Sequence, residues 1–155
     1  MLNLRRATEK DLLLLYDWAN DSEVRKAAFN SRTIGMEDHS SWFLRKLTRS
    51  DSDIYIMEFE NIPVGQIRFD EREERNSYLI DYSIDLKYRG KGFGSKIIEL
   101  GMKAQMDKFR KDLEFIALVK NQNISSRKCF DKIGFRQDDR TEEFITYKYA
   151  GRYEK

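Results

Sequence analysis

The residues best placed to do chemistry in this chain are cations set among glycines. In YRGKGFGSK, residues 88–96, Gly90, Gly92 and Gly94 alternate with Lys91 and Phe93, and Arg89 and Lys96 stand at the flanks. Backbone without Cβ atoms can curl closely around a ligand. The stretch that follows, SKIIELGMKAQMDKF, reads as a helix, so the curl opens onto a helix N-terminus. Main-chain amides of residues 90–95 and the helix dipole suit a phosphate, and Arg89, Lys91 and Lys96 supply full charges. The plainer alternative is a glycine-rich turn between a strand and a helix. A single cysteine, Cys129, excludes an internal disulfide, and with one histidine, His39, a metal site is not expected.

Three glycine patterns compete for this stretch. The nucleotide P-loop, GxxxxGKS or GxxxxGKT, fails because Gly94 follows Gly90 too soon. The dinucleotide fingerprint GxGxxG fails because its third glycine arrives one residue early. The third pattern, Q/R-x-x-G-x-G/A, is met by Arg89, Gly92 and Gly94. A second string, NQNISSRKCFDKIGF, fits N-x-x-A/S-x-x-x-Y/F-x-K-x-G-F through Asn123, Ser126, Phe130, Lys132, Gly134 and Phe135. On these two strings the chain resembles the GNAT family of N-acetyltransferases, whose coenzyme A pyrophosphate loop is the glycine stretch.

That resemblance implies an acetyltransferase using acetyl-CoA as co-substrate, with no metal. Arg89, Gly90, Lys91, Gly92, Phe93, Gly94 and Ser95 would hold the pyrophosphate. Main-chain groups near Ile84 and Leu86 would bind the pantetheine arm like an added strand, and Asn123 would bond the arm from the next loop. A main-chain N–H near Ile84 would serve the oxyanion. Acid and base are where the chain departs from the family. The tyrosine many relatives carry near the sulfur is Phe130 here, which leaves Ser126 as the substitute or as a small packing residue. The strand glutamate of several relatives is Leu79, which nominates Asp81 on the same strand face, or leaves Asp81 as a solvated residue. His39 is the other candidate base, or else a surface histidine; Cys129 reads as a buried filler.

A strongly basic amine, of pKa about 10.4, needs more help to lose its proton than one of pKa about 8. Without the glutamate the acceptor is expected to be of the weaker kind. Trp18 and Asn20, the EVR at 23–25, Ser31 with Ile34, and His39 with Trp42 and Phe43 resemble the nucleotide-sugar amine acetyltransferases of nonulosonic-acid pathways, the pseudaminic type especially. The implied acceptor is the 4-amino group of a UDP-linked deoxy amino sugar. Arg25 would meet a diphosphate and Trp18 or Trp42 a ring, unless both tryptophans are core. Two alternatives stay open: an N-terminal acetyltransferase of the ribosomal-protein type, and a non-catalytic acyl-CoA-binding module, which Phe130 and Leu79 favour.

These residues need an α/β scaffold to hold them. LNLRRAT reads as a strand closed by a capping signal at Thr8 and Asp11, followed by helices in KDLLLLYDWAN and GMEDHSSWFLRKL. SDIYIMEFE and VGQIRFD form a hairpin turning at NIP, then SYLIDYSID is a strand before the glycine loop. LEFIALVK is a strand covered on both faces, SSRKCFDKI a helix stopped by Gly134, and FRQDD and EEFITYKYA close the chain. The expectation is one GNAT domain over 1–155, with a mixed, mostly antiparallel sheet, splayed central strands and about four helices. Charged residues at 36%, apolar ones at 40% and a net charge of +2 point away from nucleic acid and membrane partners. The N-terminus shows no signal-peptide core, so a cytoplasmic location is expected. Pairing of two copies into a homodimer is left open.

Overall fold

The computed structural model describes residues 1–155. Its architecture follows from two-residue alternation in the strands. In β2 (Ser52–Phe59), Ile54 and Ile56 join one buried cluster while Tyr55 and Met57 join another. One face of the sheet therefore packs on one helix layer and the opposite face on a second. β1 (Leu2–Arg6), β2, β3 (Ile62–Glu71), β4 (Ser77–Ile84), β5 (Leu113–Lys120), β6 (Arg136–Arg140) and β7 (Phe144–Gly151) form a single sheet in the order β1-β2-β3-β4-β5-β7-β6. Every neighbouring pair is antiparallel except β4 with β5.

The helices are α1 (Leu12–Ala19), α2 (Ser22–Ala27), α3 (Met36–Thr48), α4 (Phe93–Phe109) and α5 (Ile124–Ile133). Ile97, Ile98 and Met102 of α4 and Phe130 of α5 belong to the larger core, a cluster of 19 buried residues. Leu15 and Trp18 of α1 and Phe43 of α3 join only six, Ile54 and Ile56 among them, on the other face. The smaller core leaves room on that face for a polar floor.

Two details depart from the sequence expectation. α2 is a fifth helix, with no buried residue and hence no apolar stripe; Asp21 makes it by accepting from the Glu23 and Val24 amides. The hairpin turns at Glu60 and Asn61, both with positive φ (51° and 67°), so only the first residue of NIP belongs to the turn. Left-handed residues suit the twist of a two-residue hairpin, and Pro63 sits inside β3 opposite Glu58, at the register shift between Met57 and Glu58. No helix is long and apolar enough to cross a membrane.

Candidate active site

β4 and β5 pair only from Ser77–Leu79 against Glu114–Ile116. Beyond that, β4 stays with β3 as far as Ile84 and β5 with β7 as far as Lys120, so the two strands part between Ile80 and Ala117. The parting opens a cleft of about 970 Å³ whose walls include the glycine loop, β4, β5 and α5. A strand edge without a partner offers N–H and C=O groups to an extended ligand.

The glycine loop closes one end of the cleft. Gly90 and Gly92 hold φ of +76° and +82°, and a Cβ at either would meet nothing within 4 Å. Their positive φ is what requires glycine, and the empty space in front of them is room for a ligand. Gly92 caps α4 and Gly94 lies inside it, close against Cys129: a Cβ there would stand 2.9 Å from the sulfur. The amides of residues 90–95 have no acceptor in the protein, as the first turn of a helix must. Lys91 and Lys96 are exposed beside them. Arg89 is turned another way. Its Nε donates to the Ile84 carbonyl at 2.9 Å and one Nη to Asp21 at 2.8 Å, while the other Nη is buried without a partner. Leu86 is exposed in a 3-10 turn, Leu86–Tyr88, that Asp85 caps.

On the α1/α3 side of the sheet, cross-strand pairs Arg68–Asp81 and Gln66–Ser83 form the polar floor. Asp81 is exposed, accepts from Gln66 Nε2 at 3.2 Å and lies 3.7 Å from the Arg68 guanidinium. Arg68 also pairs with Asp70 and sits over the half-buried Trp42 ring at 5.0 Å. Burial works against the Asp70 charge, but Arg68, Lys46 and Ser52 more than offset it and hold the carboxyl below its usual range.

His39, expected as a base or a surface residue, is 2% exposed. Its ring stacks on Phe43 and its Nε2 lies 2.9 Å from the Leu12 carbonyl. A carbonyl can only accept, so that nitrogen carries the hydrogen. Trp18 is 6% exposed and donates to Asp85 at 2.8 Å. Asn20 exchanges two bonds with the Ile34 backbone, and Arg25 donates to the carbonyls of Ala19, Asn30 and Arg32. These three side chains shape the wall of the cleft by bracing its own backbone.

On the α5 side, Asn123 caps the helix by accepting from the Ser126 amide at 3.3 Å. Phe130 is 1% exposed in the core. Sequence reasoning missed Tyr82, whose hydroxyl lies 2.8 Å from Ser126 Oγ on the α5 side of the cleft. Alternation already put Tyr82 on the opposite face from Asp81; its partner, 44 positions away in the chain, was not visible. Burial pushes the phenol far above the usual tyrosine range; the neighbouring Cys129 adds to that, and the Ser126 bond opposes it. No group of three His, Cys, Asp or Glu side chains could hold a metal.

A parted pair of central strands beside a glycine-capped helix makes a site suited to an extended, phosphate-bearing ligand. The chain belongs to the GNAT family: the model of the acetyltransferase (GNAT) domain matches residues 1–136. No curated protein matches it in sequence. Among solved structures it is similar to spermidine N-acetyltransferase from Vibrio cholerae in complex with CoA and spermine, at 13% identity and TM-score 0.86, over 97% of this chain and 95% of that one. It is also similar to the aminoglycoside acetyltransferase AAC(6')-Ib in complex with ribostamycin and coenzyme A (18%, 0.82, 96% and 93%). RimL, a ribosomal alpha-N-protein acetyltransferase in complex with coenzyme A, stands at 15% identity and 0.81, with coverage of 96% and 93%. The chain is thus an acetyl-CoA-dependent N-acetyltransferase.

Proposed function

We propose that acetyl-CoA lies in the parted strands and that a small-molecule primary amine reaches it across the floor formed by Gln66, Arg68, Asp81 and Ser83. The observation that carries this reading is the end of β4–β5 pairing at Leu79 and Ile116, next to six amides without acceptors at residues 90–95. Those amides, with Lys91 and Lys96, would bind the pyrophosphate. Main-chain groups of β4 up to Ile84, the turn at Leu86 and the free amide nitrogen of Asn123 would take the pantetheine arm. Arg89 would act through the strand, holding Ile84 in place.

The amine would be drawn to Asp81, the exposed carboxylate of the floor, and would pass it a proton as the nitrogen attacks. His39 is given no part in this step, since its ring is packed in the smaller core. One exposed carboxylate is modest help, and this favours an acceptor less basic than a polyamine. Our finer reading is an amino sugar carried on a nucleotide, lying against Trp42. Arg25 and Trp18 would then contribute mainly by shaping the wall, because the Trp18 indole N–H and the Nε and one Nη of Arg25 are already bonded within the protein.

A thiol-release assay with a panel of acceptors tests both levels. A UDP-linked 4-amino-deoxy sugar is expected to outpace polyamines and N-terminal peptides. Asp81→Asn is expected to lower kcat/KM for the amine about 100-fold with coenzyme A affinity unchanged. Preference for a polyamine would refute the acceptor class, and full activity in the asparagine variant would refute the role of Asp81.

A further inference from the structure

Acetyl transfer expels a thiolate that must gain a proton, and Phe130, at the wall of the cleft where a phenol would serve, has none to give. Two hydroxyls meet instead on the α5 side of the cleft. Tyr82 rises from β4 three residues past the last β4–β5 pair, and Ser126 stands on the first turn of α5; their oxygens are 2.8 Å apart. The Tyr82 ring is fixed edge-on against Phe130, with centroids 5.8 Å apart, and both hydroxyl-bearing residues line the cleft. We infer that Ser126 and Tyr82 form a two-hydroxyl proton relay to the departing sulfur, with Ser126 the catalytic residue and Tyr82 a positioning residue acting through it.

The step balances. The amine nitrogen bonds to the acetyl carbon, the carbon–sulfur bond breaks, and the sulfur keeps the electron pair. Ser126 Oγ gives its hydrogen to the sulfur and takes the hydrogen of Tyr82 Oη, which leaves a phenolate. The proton that the acylated amine releases returns to the phenolate through solvent, so no oxidant or reductant is needed. A phenol, with an ordinary pKa of about 10, is a stronger acid than an aliphatic hydroxyl, and although burial raises Tyr82 above that range, passing the charge on to it costs less than leaving an alkoxide on Ser126. Gly94 keeps α4 clear of this corner: a Cβ there would lie 3.8 Å from the Tyr82 oxygen and 2.9 Å from Cys129. The titratable groups around Tyr82 are Cys129 of α5, and Asp81 beside it on β4.

The inference rests on acetyl transfer in this cleft, and the test separates the two. Coenzyme A binding is measured by calorimetry, and kcat and KM by thiol release, for the wild type, Tyr82→Phe, Ser126→Ala and the double variant. The relay predicts that each single variant loses about 100-fold in kcat, with KM for acetyl-CoA within about twofold. The double variant loses no more than either, as expected of groups that act as a unit. The solvent deuterium isotope effect on kcat, which a merely structural role would not move, falls in Tyr82→Phe, because one fewer hydrogen is in flight. A kcat within about threefold of wild type in Ser126→Ala, or single losses that multiply in the double variant, overturns the relay while acetyl transfer stands. Failure of the wild type to bind coenzyme A overturns both.

Discussion

Gly92→Ala separates the backbone demand of the glycine loop from its demand for ligand space. At φ +82° a Cβ meets no atom within 4 Å, so the folded chain bears only the left-handed strain of an L-residue, about 1–2 kcal/mol. For a domain of this size that lowers Tm by about 2–8 °C. The methyl group occupies the space in front of the α4 amides, where a phosphate oxygen would sit. Loss of one charge-assisted hydrogen bond, about 1.5–3 kcal/mol, weakens coenzyme A by about 10- to 100-fold. Gly134→Ala supplies the control. Its φ is +107° and its nearest Cβ neighbour is a Tyr149 ring carbon at 3.9 Å, so it bears similar strain at the far end of α5. Calorimetry with coenzyme A and thermal melts without it are expected to show both variants destabilised and only Gly92→Ala weakened in binding. Equal coenzyme affinity in the two variants would refute the phosphate assignment of the loop.

His39→Ala removes a buried ring and strips the Leu12 carbonyl of its donor, so a loss of about 2–4 kcal/mol in denaturant unfolding is expected with kcat per folded molecule unchanged; a large fall in kcat without that loss would make His39 a base. Asp53 is 2% exposed and accepts from Arg6, Lys108 and Gln105, so Asp53→Asn is expected to cost about 3–5 kcal/mol in the same measurement. Burial opposes the Asp53 charge, but Lys108, Gln105 and Arg6 outweigh it and lower the folded pKa. Its contribution is therefore present above the ordinary carboxylate range and is lost as pH falls through the folded pKa. Tm measured against pH is expected to fall less steeply on the acid side in Asp53→Asn than in the wild type, and identical slopes would refute the linkage.

Much of the backbone geometry of the glycine loop and of α5 was legible in the sequence because its constraints are local. Gly90 and Gly92 need positive φ, Gly134 needs it to end α5, and Asn123 caps the helix that it precedes; each demand falls within a few residues of chain. The parting of β4 and β5 was expected only through the family resemblance, for it depends on where pairing stops between strands far apart in the chain. α2 was hidden for a different reason: a six-residue helix with no buried side chain has no periodicity to read.

The acceptor side was obscured by residue types that serve two purposes equally well. An arginine can grip a diphosphate or three main-chain carbonyls, and Arg25 does the second. An indole can stack on a ring or donate from the core, and Trp18 donates to Asp85, the residue that caps the turn leading into the glycine loop. Asp21, which makes α2, also holds Arg89 and through it the Ile84 carbonyl at the end of β4. The residues between α1 and α2 thus brace the cleft wall and the approach to the glycine loop together. On the proposed reading, the bonds that spend Trp18 and Arg89 within the protein would fix the distance between the amine and the coenzyme, and that distance would decide whether the amine can reach a thioester.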